Sequence, residues 1–243
     1  MTIIVTLVAG LFFLLGSALA LIGKNNKNVS NFSIGMALSV MIMLLAFDIV
    51  PEITESLEDN YILMIIFILV GAGLLKLMDI IIPHHNHLEE ISHHEKHLHH
   101  IGLISSLALI IHNVIEGIGI YNIALLDTKA GILMAIGVGL HNIPFGIEIV
   151  SSLNETKKNT KEVWINIVLL TLSTVLGALI MLIIGNISET VLGSLLSITV
   201  GMILYLILFE LLPEIKETKN KKYTIVGFII GILLSLGNIL IGG

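Results

Sequence analysis

Apolar residues run along this chain in blocks long enough to cross a bilayer, separated by short polar connections. A spanning helix needs about 20 mostly apolar residues. Stretches of that kind lie at 2–22, 31–50, 61–82, 101–121, 130–150, 163–184, 190–212 and 223–242. The pattern predicts an all-α polytopic membrane protein with eight transmembrane helices. The first block lacks a basic leader and a small-residue cleavage site, so it reads as a retained helix. Nothing resembles a separate soluble domain. Residues 1–243 read as one transmembrane domain carrying a histidine-rich loop at 83–100.

Composition agrees and narrows the classes. The chain is 56% hydrophobic and 12% charged, where a soluble domain carries about 25% charged residues. Intrinsic disorder and an ordinary soluble enzyme are excluded. A net charge of −6 argues against a nucleic-acid partner. The absence of cysteine removes disulfides, thiolate metal sites and cysteine nucleophiles. All 12 basic residues are lysines, and their placement sets an orientation, because cytoplasmic loops collect basic residues. Lysines flank spans 1, 3, 4, 5 and 7 on one side, and only Lys129 falls on the other. Both termini are then extracytoplasmic, in a multi-pass inner-membrane protein, and the histidine-rich loop is cytoplasmic. Glu52, Glu55, Glu58 and Asp59 crowd the opposite face and would attract cations.

Two internal echoes relate the halves. Residues 47–53 read FDIVPEI and residues 209–215 read FELLPEI. Span 2 runs outward and span 7 inward, so the repeat is inverted, an arrangement that places transport sites near the midplane. Span 4 holds HNVIEGIGI (112–120) and span 5 holds HNIPFGIEI (141–149). The chain thus reads as a 3+2+3 inverted-repeat bundle with a central pair.

An ionisable residue inside a span is a functional candidate. At about 1.5 Å per residue, His112 and His141 each lie roughly 16 Å deep, at one level of antiparallel helices. His112 and Glu116 (i, i+4) share a face, with Asn113 beside it. His141, Phe145 and Glu148 share a face of span 5, with Asn142 beside it. Imidazole, carboxylate and amide oxygen suit a divalent ion such as Zn²⁺, Fe²⁺ or Mn²⁺. Interhelical hydrogen-bond glue, a proton relay and a catalytic zinc site are the competing readings. Asp48 and Glu210, near opposite span ends, read as gate acids at the two mouths or as interfacial acids. The tract 83–100 holds His84, His85, His87, His93, His94, His97, His99 and His100. Such tracts bind metal by composition, so the tract reads as a buffer or sensor for arriving ions.

These residues resemble the ZIP (Zrt-, Irt-like) metal transporters of bacterial type. The resemblance is carried by eight spans, the histidine-rich loop, HNVIEG and HNIPFG. It implies import of zinc, with iron, manganese or cadmium as further cargo, into the cytosol. The metal is then substrate and not a prosthetic group. The resemblance also implies that His112, Glu116 and His141 form a first site. Asn113 and Asn142 serve a second site, and Met41 falls where a soft ligand occurs. Two positions depart from the family pattern. Phe145 stands where the family has a bridging Glu, and Thr174 stands where span 6 carries another. A single site follows, with Glu148 one turn from Phe145 as a compensating carboxylate. The rival readings are a metal-binding membrane protein or sensor with reduced transport, and an intramembrane zinc hydrolase. The hydrolase lacks HExxH and a nucleophile motif. Metal ions and lipid are the implied partners, and glycine-rich spans permit a homodimer.

Overall fold

Each apolar block is helical, because in hydrocarbon every backbone N–H and C=O must be satisfied within its own segment. The computed structural model describes residues 1–22, 27–81, 93–154, 160–185, 187–218 and 221–242, with no strand among them. In chain order the helices are α1 (Thr2–Ile22), α2 (Asn28–Ser56), α3 (Tyr61–Ile81) and α4 (His93–Leu126). They continue as α5 (Thr128–Asn154), α6 (Thr160–Ile184), α7 (Glu189–Glu217) and α8 (Lys222–Gly242). All eight are long and apolar enough to cross a membrane.

The tight connections carry their own stop and start signals. Between α2 and α3, Glu58 and Asp59 take positive φ, and Asn60 Oδ1 accepts the Leu63 N–H at 3.1 Å to cap α3. Asp127 Oδ1 accepts the Lys129 N–H at 2.8 Å at the start of α5. Ser188 Oγ accepts the Val191 N–H at 3.3 Å at the start of α7.

One expectation is corrected here. Residues 93–100 are not loop but the opening turns of α4. HHEKHLHH contains no Gly or Pro to break a helix, and neighbouring acids hold it. His97 Nε2 stands 3.6 Å from Glu214, and His99 Nε2 stands 3.1 Å from Glu162. His84, His85 and His87 lie outside the described residues, as do the side chains of His93 and His94.

The echo FDIVPEI/FELLPEI has a backbone counterpart. Leu45–Ile49 in α2 and Leu206–Leu211 in α7 are both π-helical. The Val50 N–H reaches the Leu45 carbonyl and the Leu212 N–H reaches that of Ile207, each five residues back. Pro51 and Pro213 follow at the same offset. A proline offers no N–H and clashes with the carbonyl four residues earlier, here that of Phe47 or Phe209, so the turn widens.

Packing follows the same symmetry. Helix α1 packs on α5 as α6 packs on α4, and α2 packs on α8 as α7 packs on α3. In the second set each partner brings a glycine to the other's backbone. Gly35 meets the Thr224 carbonyl and Gly227 that of Phe32, while Gly71 meets Ile198 and Gly201 meets Ile68. A side chain at any of these would collide with main-chain atoms, so glycine permits the close approach. Helices α3 and α8 are largely exposed and face the lipid side, whereas α4 is the most buried span. The most buried spans are α4, α2 and α7, and the candidate ligands lie on α4 and on the adjacent α5.

Candidate metal centre

His112 and Glu116 lie one turn apart on α4, and His141 faces them from α5. The His112 and His141 ring centroids are 6.0 Å apart. Glu116 Oε1 stands 3.0 Å from His112 Nε2 and 2.9 Å from His141 Nε2. Their ligand atoms all lie within 4.8 Å of one another. All three residues are buried, His112 completely. Proximity is not matched by hydrogen bonding. Neither Nε2 has the alignment a hydrogen bond requires, and both Nδ1 atoms and Glu116 Oε2 also lack a partner. Each such group costs about 1–3 kcal/mol when buried. Two imidazoles and a carboxylate sharing one small volume can offset that cost by ligating a divalent cation.

A cavity of about 380 Å³ leads from these residues to the acidic end of the bundle. Asp48, Glu52, Gly119, Val138 and Asn238 contribute to its wall. The π-helical run of α2 supplies Phe47, Asp48 and Ile49 to the same wall. Asp48 is exposed there and can meet a cation before the buried set does.

The other sequence candidates are distributed differently. Asn113 Nδ2 donates to the Leu170 carbonyl of α6, and Asn142 Nδ2 donates to the Ala9 carbonyl of α1, each at 3.3 Å. Both amides therefore tie neighbouring helices together, and neither lines the cavity. Met41 is wholly buried in the apolar core and also stays off the cavity wall. Phe145 is buried one turn beyond His141, its ring centroid 6.0 Å away. Thr174 Oγ1 donates to the Thr6 carbonyl at 3.2 Å. Glu148 does not join the His112–Glu116–His141 group. At i+7 from His141 it lies about 10 Å further along α5.

A second group gathers toward the lysine-rich end. Asp79 of α3, His100 of α4 and Glu210 of α7 bring ligand atoms within 4.8 Å of one another. His100 Nε2 is 2.6 Å from Asp79 Oδ1, and the Tyr205 hydroxyl donates to Asp79 Oδ2 at 2.8 Å. Glu210 belongs to the π-helical run of α7, as Asp48 belongs to that of α2. The two acids of the inverted echo thus serve opposite ends. Asp79 and Asn238 were not singled out by the sequence. Asp79 carried a usable signal, as the only acid in span 3. Asn238 carried none beyond being an amide in a greasy helix.

An all-helical membrane bundle with two imidazoles and a carboxylate gathered in its interior, beside a cavity that also holds Asp48 and Glu52, fits an integral membrane transporter of metal cations. The model of the ZIP zinc transporter family matches residues 82–238, and the chain belongs to that family. It is 29% identical over 248 residues to the zinc transporter ZupT of Chlorobium chlorochromatii (strain CaD3), covering 94% of this chain and 92% of that one. The chain is a divalent metal transporter and not an enzyme.

Proposed function

We propose that the protein imports a divalent cation, zinc foremost and iron or manganese next, into the cytosol through one site made by His112, Glu116 and His141. The observation that carries this reading is the convergence of both imidazoles on one carboxylate oxygen, at 3.0 and 2.9 Å, in the wall of a cavity shared with Asp48 and Glu52. Lysine placement supports the direction. The cavity end holding Glu52 faces outward, the lysine-rich end faces the cytosol, and both termini are extracytoplasmic in the inner membrane. One cation per site follows from Phe145, an apolar ring beside His141 where a bridging carboxylate is expected. Asp48 receives the cation, and the Asp79–His100–Glu210 group takes it on release.

Competition among zinc, iron, manganese and cadmium for uptake into proteoliposomes tests the reading. Wild type is expected to accumulate zinc preferentially, and His112→Ala to accumulate none of the four above background. Wild-type uptake by His112→Ala would overturn the site. A chain that binds zinc yet moves none would favour a sensor, the reading that Phe145 and Thr174 motivate.

A further inference from the structure

Glu148 is the one carboxylate of α5, and neither metal group uses it. It is fully buried, and its polar contacts are few. Ser152 Oγ donates to Oε1 at 3.3 Å, and Oε2 has no partner. Such a group in a membrane interior is expensive, and the fold offers no structural return for it.

The register of α4 against α5 places Glu148 more closely. These helices are antiparallel, and two contacts fix their alignment. The His112 ring faces the His141 ring. Toward the lysine-rich end, Gly102 abuts the Leu153 side chain. Glu148 falls between these contacts, level with Ser105 and Ser106. Ser105 is seven residues before His112, and Glu148 is seven residues after His141. Seven residues are close to two helical turns, so each keeps the face that carries its histidine. Ser105 is also fully buried, and its Oγ has no partner. A carboxylate with one unpartnered oxygen and an unpartnered hydroxyl therefore stand at one level of the interface that holds the metal centre, about 10 Å deeper. Between the two levels lies a single apolar layer, with Phe145 on α5 and Ala108 and Leu109 on α4, all buried. Beyond Glu148 the next ligand from α4 is His100, which is about 12 residues or roughly 18 Å from His112 along the helix. Glu148 thus divides a long apolar gap into two short ones.

We propose that Glu148, with the Ser105 and Ser152 hydroxyls, is an oxygen-donor relay site for the divalent cation between the His112–Glu116–His141 centre and the Asp79–His100–Glu210 group. It draws the cation past the Phe145 layer when the lysine-rich half of the bundle opens. The proposal rests on the transport reading above and adds a station to it.

The full chain is reconstituted in proteoliposomes containing a zinc-sensitive dye, and kcat and KM for zinc are compared. Glu148→Gln keeps the volume and the acceptor for Ser152 but loses the charge. Its kcat is expected to fall by at least about tenfold with KM unchanged, since the cation is captured earlier. Glu148→Asp, with the charge restored, is expected to recover part of the rate. Glu148→His replaces oxygen by imidazole, which favours zinc over manganese, so its zinc-to-manganese rate ratio rises above wild type. A thermal melt of each variant reports folding. Wild-type kcat in a folded Glu148→Gln overturns the relay, as does an unchanged rate ratio in Glu148→His, which assigns Glu148 to proton carriage or packing. Loss in His112→Ala with wild-type rates in Glu148→Gln removes only the relay. Intact transport in His112→Ala removes the underlying site instead.

Discussion

The two candidate ligand groups are built in opposite ways. The mid-membrane group draws all its donors from α4 and α5, a directly packed pair, and two of the three are one turn apart on one helix. The group near the lysine-rich end draws one donor each from α3, α4 and α7, with a tyrosine of α7 as a further partner. Any shift of α4 against α3 and α7 takes the second group apart while leaving the first intact. A site built on one packed pair can hold a cation through a conformational change. A site built across three helices forms and dissolves with that change, which suits release.

The cavity makes the same distinction. It contains His112, Glu116 and His141 together with Asp48 and Glu52, and none of Asp79, His100 or Glu210. The mid-membrane group is therefore accessible from the acidic end in this conformation, with Phe145 buried on its far side. Both groups are rich in imidazole and carboxylate, so what separates them is mechanical more than chemical.

This comparison can be broken in order of expected effect. His141→Ala removes one arm of the paired-helix site, and zinc uptake should fall by about 100-fold or more, read as initial rate in proteoliposomes. Asp79→Asn combined with Glu210→Gln leaves capture untouched, so kcat should fall by about tenfold while KM for zinc holds. A shifted KM would show that the two groups act as one. Gly201→Leu drives a side chain into the Ile68 carbonyl of α3. It should separate Asp79 from Glu210, mimic the double variant in kcat, and lower the melting temperature by several degrees, with zinc binding retained. Met41→Leu should change least. A buried swap of similar volume costs under about 1.5 kcal/mol, and metal preference should stay at the wild-type value because Met41 is off the cavity wall.

What the sequence made legible follows the same divide. His112 and Glu116 are one turn apart in one apolar block, and His141 repeats the His-Asn word at the same depth of the next block. Short-range spacing was enough to join them. Asp79, His100 and Glu210 are separated by 21 and 110 positions, and no local period links them; only tertiary packing does. The Pro-Glu echo located both π-helical runs without naming them, because the widening of the turn depends on a proline clash that the repeated word already contained. Asn113 and Asn142 spend their Nδ2 donors on carbonyls of α6 and α1, which leaves each buried Oδ1 without a partner for the ligand role the resemblance implies. The histidine tract reads as one loop over 83–100, whereas 93–100 is helical, with His97, His99 and His100 set against Glu214, Glu162 and Asp79 of other helices.

The central claim is that one carboxylate, shared by two imidazoles, holds the transported cation. Glu116→Gln tests it most directly, because it keeps the shape and buried volume of the side chain and removes only the charge. Zinc uptake by the purified variant, measured as initial rate beside wild type in the same proteoliposome preparation, is predicted to drop to background while the protein stays folded. Uptake at the wild-type rate would contradict the account.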